Sequence, residues 1–500
     1  MNLARTFAGS WSAVHGGRLR DYLEILAVGS GARVFGLASQ LVVLIILSRI
    51  LSKDSFGDMM TAFGFYRLAG IALGVGPSLV LLFHISRRPD DRDAEIRLHR
   101  FSAALGALAA ALVALIGVLA AEPIARALGK PGLALWFVQL APFAVFSTLL
   151  TVSTGALEGR SRISESIVMG EAAPNAVRIV LLPLVALASL PEAYVAHVLT
   201  LSVLAPWLWS ARRLWHRSTA GLQPWTPWDY SYCGKFVVAT LFANQLGAVD
   251  ILVAGALFSS EAVADYAVAS RIAALFSFFQ LALLKRFAPR AGPLVEIGDR
   301  VALRHEVELC RRLTIGCGAL TIGGLVVLAP FLLPLFGDYR GAEVLLIWLA
   351  IPAFIQSFYA TSDRLLIIAG QANVALVLTG SSFLVLTTTP FVTAPWLGLA
   401  AIPAAMIFSA LAFNPIVAAR AQRMFAFATI TPLDLALMGG GCVALATHAL
   451  VRSPLTAALV GAVLAAIGLF LIVGAVRPNG ASRDKHPASA RRCGANRAPP

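Results

Sequence analysis

Six ionisable side chains lie inside long apolar stretches of the sequence, where a charge is energetically costly. They are Arg33, Arg67, Arg178, Arg271, Glu171 and Asp250. A charged group at the centre of a membrane-spanning helix costs at least about 2.5–3.5 kcal/mol and usually faces a cavity. The four guanidinium groups offer paired donors that suit phosphate or diphosphate, so they are candidates for substrate binding. The two carboxylates, Asp250 above all, are candidates for coupling to an ion or a proton.

Each of these side chains also has a structural alternative. An arginine can pair with an acidic side chain or extend to the membrane interface. Asp250 can form a salt bridge with an arginine of the same cavity. Glu171 and Arg178 are seven residues apart on one predicted helix, so they lie on similar faces and can partly neutralise each other. Residue type and spacing leave both possibilities open.

The elements that carry these residues are apolar stretches that fill most of the chain. Hydrophobic residues make up 58% of the 500, charged residues 13%, and the mean hydropathy is +0.79. A bilayer core of about 30 Å requires roughly 20 apolar residues per helix. We therefore predict an all-α, polytopic membrane protein with about fourteen spans, near residues 25–48, 57–84, 101–121, 133–153, 163–188, 191–214, 234–258, 262–284, 313–336, 341–363, 371–392, 396–418, 432–450 and 455–476.

The basic residues alternate between the two sides of this arrangement. With the N-terminus inside, 30 of the 40 Lys and Arg residues fall on the inner side and 6 on the outer side. The long basic segments at 85–100 and 285–312 are predicted to be inner loops. This asymmetry predicts that both termini are cytoplasmic. It also explains the net charge of +14 without a nucleic-acid partner, and it favours contact with membrane lipids.

Two regions of the chain resemble each other. At an offset of 207 residues, Ser52 matches Ser259, Asp54 matches Glu261, Asp58 matches Asp265 and Ala62 matches Ala269. An even number of helices per half would make the repeat parallel, with a cleft between two halves that can rock. The predicted organisation is a cytoplasmic segment 1–24, a six-helix bundle 25–214, a cytoplasmic linker 215–233, a second six-helix bundle 234–418, two additional helices within 432–476 and a disordered cytoplasmic tail 477–500.

Several chemistries are not indicated. The five cysteines are scattered without a C-x-x-C pair, so we predict no metal site. The sequence contains no phosphate-binding loop of the nucleotide type, and we predict no cofactor, with H⁺ or Na⁺ left open as a coupling ion. A membrane enzyme would need a loop large enough to carry a site, and no predicted loop provides one.

Two runs of residues resemble a known family. The first, residues 46–87, has an Arg-hydrophobic-Leu turn, an acidic-x-aromatic-Gly step and a Gly-rich stretch before a basic residue. The second, residues 249–275, carries Asp250 on one helix and a Tyr-x-x-Ala step at Tyr266 on the next. Both resemble the Wzx-type polysaccharide and lipid-linked oligosaccharide flippases of the multidrug/oligosaccharidyl-lipid/polysaccharide (MOP) exporter superfamily. The family usually has Gly before that Tyr, where this chain has Ala264–Asp265.

The resemblance implies a non-enzymatic transporter of the bacterial inner membrane. Its implied substrate is an undecaprenyl-diphosphate-linked oligosaccharide, a repeat unit of O-antigen, capsule or exopolysaccharide, moved by alternating access. Polysaccharide polymerase and chain-length proteins are the implied partners. Two alternatives remain: a cation-coupled drug exporter of the same fold, which arginines in the cavity disfavour, and a membrane polysaccharide polymerase.

Overall fold

The computed structural model describes residues 30–87, 91–160, 162–215, 221–243 and 245–476. The predicted terminal segments 1–24 and 477–500 lie outside these ranges. The helices of the first part are α1 (Ser30–Ile50), α2 (Lys53–Arg87), α3 (Arg92–Leu119), α4 (Ala121–Ala127), α5 (Pro131–Gly159), α6 (Ile163–Ile167), α7 (Ala173–Leu187) and α8 (Tyr194–Trp215). Those of the second part are α9 (Pro227–Ala243), α10 (Asp250–Leu257), α11 (Ser260–Ala273), α12 (Phe278–Ile297), α13 (Arg300–Leu332), α14 (Arg340–Ile368), α15 (Ala372–Leu397), α16 (Ala401–Phe425), α17 (Pro432–Val451) and α18 (Pro454–Val476).

The all-α polytopic fold is confirmed, since the described residues contain helices and no strand. Ten helices in that part of the chain are long and apolar enough to cross a membrane, or eleven if a bent pair counts as one span. One of the ten, Leu376–Phe425, includes most of α15 and all of α16, joined by a 3-10 turn at Gly398–Ala400. The count of fourteen spans and the domain boundaries stay predictions.

The two long basic segments are not the loops that the sequence suggested. Helix α3 begins at Arg92 and α13 begins at Arg300, and α12 continues to Ile297. Charge sets where a segment leaves the apolar core of a bilayer, but it does not end a helix, because basic residues have good helix propensity. Within the described residues, these segments are therefore helical up to Arg87 and Ile297 and again from Arg92 and Arg300.

Small residues allow the helices to pack closely. Along the contact of α2 with α5, a Cβ added to Gly74 would lie 2.6 Å from Thr151 Cβ. On α13 and α18, the backbones meet at two levels: a Cβ on Gly316 would lie 2.9 Å from Gly468 O, and one on Gly323 would lie 3.3 Å from Gly461 O. Small residues at such contacts let helix backbones approach each other in membranes. Helix α18 is thereby fixed against α13.

The internal repeat has a counterpart in the helix caps. The Ser52 hydroxyl accepts a hydrogen bond from the Ser55 N–H at the start of α2. The Ser259 hydroxyl accepts one from the Ala262 N–H at the start of α11. Serine is a preferred cap because its side chain satisfies a free N–H of the first turn. The two matched serines thus begin matched helices.

Candidate functional site: a cationic cavity beside a buried acid

A cavity of about 430 Å³ lies among helices of the first part of the chain, and α2, α5 and α7 form much of its wall. Arg67 comes from α2 and Arg178 from α7, and the Glu171 side chain is exposed at the same cavity. Glu171 lies in a π-helical turn, Val168–Ala172, which precedes α7. Such turns interrupt the regular hydrogen bonding of a helix and often occur at functional sites.

Neighbouring polar groups hold Arg178 in place. Its Nε donates to Ser202 Oγ at 2.9 Å, and its Nη1 donates to Asn175 Oδ1 at 3.3 Å. The guanidinium carbon also lies 6.0 Å from the centre of the Phe63 ring, within the range of a cation–π contact. None of these partners carries a charge, so the positive charge of Arg178 is oriented but not neutralised by them.

A buried acid lies where the chain bends between α9 and α10. These helices are joined by a π-helical turn, Gln245–Val249, and the two parts of the pair meet at 80°. Asp250 is fully buried; its carboxylate accepts hydrogen bonds from the Ile251 N–H at 2.8 Å and from the Tyr266 hydroxyl at 3.0 Å. Backbone and phenolic donors both stabilise a carboxylate.

Arg271 on α11 lies next to this bend and is only 8% exposed. Within the described part of the chain, its Nη2 has no hydrogen-bond partner. Gly247 has φ +82°, a backbone conformation that favours glycine, and a Cβ there would lie 2.9 Å from Arg271 Nη1. The guanidinium therefore lies close to the space that a side chain at residue 247 would occupy.

The charges of this region interact with one another. Arg67, Arg178 and Arg271 repel one another pairwise, and Asp250 attracts both Arg67 and Arg271. Arg67 and Arg271 thus share one fully buried acid, Arg178 adds a third positive charge, and an anion would relieve the remaining repulsion. The structure brings these four predicted residues together from α2, α7, α10 and α11.

Two other predicted residues have different positions. Glu171 lines the cavity but is exposed, in contrast to the fully buried Asp250. Arg33 lies in α1, and its side chain is outside the described set. The sequence did not single out Asn175 or Ser202, which orient Arg178. Asn175 is three residues before Arg178, a spacing that would have indicated a neighbour on the helix surface.

The two parts of the chain also meet where α1 passes into α2. Lys53 Nζ lies 3.0 Å from Asp265 Oδ1 on α11. In return, the Ser260 hydroxyl donates to Asp58 Oδ1 on α2. Lys53 corresponds to Ser260 and Asp58 to Asp265 at the offset of 207, so the two contacts are related by the internal repeat. We call these four residues the reciprocal contacts.

Glycines bring further helices against the two acidic members of the reciprocal contacts. A Cβ on Gly132, at the start of α5, would lie 2.7 Å from Asp58 Oδ2. A Cβ on Gly341, at the start of α14, would lie 2.5 Å from Asp265 Oδ2. Because neither position leaves room for a side chain, each carboxylate is confined by the equivalent helix of its own half.

Comparison with known proteins decides the family. The sequence profile of the family described as "Polysaccharide biosynthesis protein" matches residues 28–285, more than half of the chain. The chain belongs to this family. A second profile, that of MatE, matches residues 236–391. No curated protein sequence is significantly similar to the chain.

Solved structures show the same fold at low sequence identity. An inward-facing multidrug resistance MATE transporter of the MOP superfamily is 16% identical, with a TM-score of 0.66 over 78% of this chain and 94% of its own. The lipid II flippase MurJ, in an inward closed conformation, is 12% identical, with a TM-score of 0.66 over 90% and 99%. A MOP superfamily transporter from Pyrococcus furiosus, described as having a binding pocket of reversed polarity, is 15% identical, with a TM-score of 0.58 over 79% and 94%.

These relatives are transporters and flippases, so the prediction that the chain is not an enzyme is confirmed. The resemblance to polysaccharide flippases of the MOP superfamily is confirmed as well. The chain is a multi-pass membrane protein with the fold of a MOP superfamily transporter.

Proposed function

We propose that this protein flips an undecaprenyl-diphosphate-linked oligosaccharide across the bacterial inner membrane by alternating access. In this proposal the diphosphate binds at Arg67, Arg178 and Arg271, and Arg33 on α1 contributes a fourth guanidinium. The oligosaccharide is a repeat unit of O-antigen, capsule or exopolysaccharide. Both termini are proposed to be cytoplasmic, as the distribution of basic residues favours.

One observation supports this proposal most strongly: Arg67 and Arg271 share the fully buried Asp250, and the hydrogen-bond partners of Arg178 are uncharged. A diphosphate that crosses a low-dielectric core needs counter-charges, and guanidinium groups supply them with paired donors. The unmatched Nη2 of Arg271 is a buried donor that an anion can satisfy. Leaving such a group without a partner is costly, so the site favours an anionic ligand.

Alternating access requires contacts that can break at one end of the molecule. The reciprocal contacts join the two halves at the end where α1 passes into α2, and the Lys53 and Asp265 side chains are 32% and 14% exposed. A partly exposed pair of this kind is worth little free energy and can be exchanged for water. We propose that these contacts open when the cavity turns to that side.

Coupling and partners complete the proposal. Asp250, with Glu171 as a second acidic group, would couple transport to H⁺ or Na⁺, because an acid that shares its charge with Arg67 and Arg271 senses whether an anion is bound. Polysaccharide polymerase and chain-length proteins are proposed as partners that use the exported unit.

Complementation of a strain that lacks its own flippase tests this function. We expect the wild-type protein to restore surface polysaccharide, and Arg67→Ala and Arg271→Ala to abolish it while both variants still accumulate in the membrane. Arg→Lys at either position should rescue in part, since the charge remains and the paired donors do not. Arg126→Ala is the matched control, because Arg126 is 77% exposed and forms an ion pair with Glu122 of the same helix. Full polysaccharide from both alanine variants would refute the cationic mechanism.

The second candidate, a cation-coupled drug exporter, is favoured by the MatE match over residues 236–391 and by the MATE structures. Its substrates would be cationic, and the three arginines would repel them. Resistance to a panel of cationic drugs in a strain that lacks its own exporters distinguishes the candidates: the flippase proposal predicts no gain in resistance.

A further inference from the structure

A second cavity, of about 330 Å³, lies in the other half of the molecule among α9, α14, α15 and α16. Its polar lining consists chiefly of amides and hydroxyls, and no Lys or Arg belongs to the described residues that line it. These polar residues are Gln245, Gln356, Thr379, Ser382, Ser409, Asn414 and Asp363. The cavity therefore differs in chemistry from the arginine-lined cavity of the first half.

The first group of polar residues in this cavity forms a hydrogen-bonded chain. Ser409 Oγ lies 2.6 Å from Ser382 Oγ, and Ser382 Oγ donates to Gln245 Oε1 at 3.0 Å. Gln245 Nε2 donates to the carbonyl oxygens of Phe242 and Thr379, at 3.0 and 3.3 Å. The amide of Gln245 is thus fixed in orientation, and the two hydroxyls are positioned by it.

The second group is a pair of amides. Asn414 Nδ2 donates to Gln356 Oε1 at 2.9 Å. A side-chain amide has two N–H donors and an oxygen with two lone pairs, so this contact leaves further donors and acceptors on both residues. Phe413 adds a ring to the wall, and Asp363 adds an acceptor.

This chemistry suits a hydroxyl-rich ligand. Each sugar hydroxyl both donates and accepts, as the amides and serines of the cavity do. A lipid chain could not use the donors and acceptors that Gln356 and Asn414 have left after their mutual hydrogen bond. A phosphate would find no cation among the described lining residues. Pockets that bind small molecules typically combine an apolar wall with a few placed polar groups, and this cavity has that composition.

The position of Gln245 links the two cavities. Gln245 is the first residue of the π-helical turn Gln245–Val249, and Asp250 follows this turn directly. Gly247 of the same turn lies against Arg271, since a Cβ there would be 2.9 Å from Arg271 Nη1. A ligand with a diphosphate at the arginines and sugars at the amides would lie across this one bend. We propose that the second cavity binds a sugar of the lipid-linked oligosaccharide, an inference that rests on the function proposed above.

Binding to the purified full-length protein in detergent tests this inference. The probes are farnesyl diphosphate and farnesyl diphosphates that carry glucose, galactose or N-acetylglucosamine. We expect at least one sugar-bearing probe to bind wild-type protein about tenfold more tightly than bare farnesyl diphosphate. Ser382→Ala combined with Asn414→Ala should remove this advantage and leave the affinity for the bare probe unchanged.

Ser381→Ala is the matched control, because Ser381 is adjacent to Ser382 but its hydroxyl donates to Val377 O of its own helix. It should retain the full advantage of the sugar. Arg67→Ala should weaken binding of all probes alike. The inference is overturned if no sugar improves binding, or if the double variant keeps the advantage. Failure of bare farnesyl diphosphate to bind wild-type protein would instead contradict the diphosphate site of the proposed function.

Discussion

Gly247 offers a sharp test of how the cationic cavity is built. Its φ of +82° lies in the left-handed region, and a Cβ would lie 2.9 Å from Arg271 Nη1. In Gly247→Ala the methyl group therefore strains the backbone of the bend and displaces the guanidinium from its place beside Asp250. Among the described residues, the atoms close to the added Cβ belong to the end of the Arg271 side chain.

The expected size of the effect follows from the free-energy cost of placing alanine in this backbone conformation. An L-residue in the left-handed conformation costs roughly 1–2 kcal/mol. Displacement of the flexible arginine adds little steric energy but separates it from its counter-charge. A cost of this size changes the ratio of two states by a factor of about 5–30. We expect transport to fall by about that factor, since fewer molecules hold Arg271 in the position that binds the substrate.

The assay compares surface polysaccharide in the complemented strain with the amount of protein in the membrane. Gly234→Ala is the control, because Gly234 lies on the adjoining helix α9 and a Cβ there meets nothing within 4 Å. It should transport at the wild-type rate. Wild-type transport by Gly247→Ala would refute the claim that the bend positions Arg271, and so would an equal loss in Gly234→Ala.

Three further predictions concern other parts of the molecule. Lys53→Asp should weaken the contact between α2 and α11, and Lys53→Asp combined with Asp265→Lys should restore it. Cross-linking between α2 and α11, or solvent accessibility of residues at this contact, measures the effect. No rescue in the double variant would contradict a direct ion pair. Gly323→Ala should lower the thermal stability of the purified protein, because Gly461 O and Leu464 Cβ lie within 3.3 Å of the added Cβ. Gly324→Ala is the control, since its added Cβ would meet no described atom within 4 Å; equal melting temperatures of the two variants would show that the α13–α18 contact adapts freely. A reporter fused after residue 477 should be cytoplasmic and one placed between residues 121 and 132 periplasmic; the opposite labels would reverse the orientation drawn from the basic residues.

The membrane fold could be predicted from the sequence because each membrane-spanning helix is marked by its own run of apolar residues. Apolar length alone locates helices such as α5 and α14, and an arginine inside such a stretch is conspicuous. Arg67, Arg178 and Arg271 could therefore be named as candidates before their contacts were known. The ends of α3 and α13 could not be placed, because a helix can continue through charged residues once it has left the apolar core.

The supporting contacts of the site depend on tertiary structure. Nothing in the sequence indicates that Ser202 on α8 accepts from Arg178 on α7, since the two residues meet only after the helices pack. The second cavity was missed for a different reason. Gln356 and Asn414 carry no charge, so a search for ionisable side chains inside apolar helices does not select them. A search of the sequence for uncharged amides inside apolar helices could have identified these two residues of the second cavity.

Translocation in proteoliposomes tests the central claim most directly. The probes are a fluorescent farnesyl diphosphate and the corresponding farnesol derivative without phosphate, and their arrival in the opposite leaflet is followed by quenching. The account predicts that wild-type protein moves the diphosphate, that Arg67→Ala and Arg271→Ala do not, and that Arg126→Ala behaves as wild type. Equal protein-dependent rates of movement for the two probes would contradict it. Undiminished movement of the diphosphate by the Arg67 and Arg271 variants would contradict it as well.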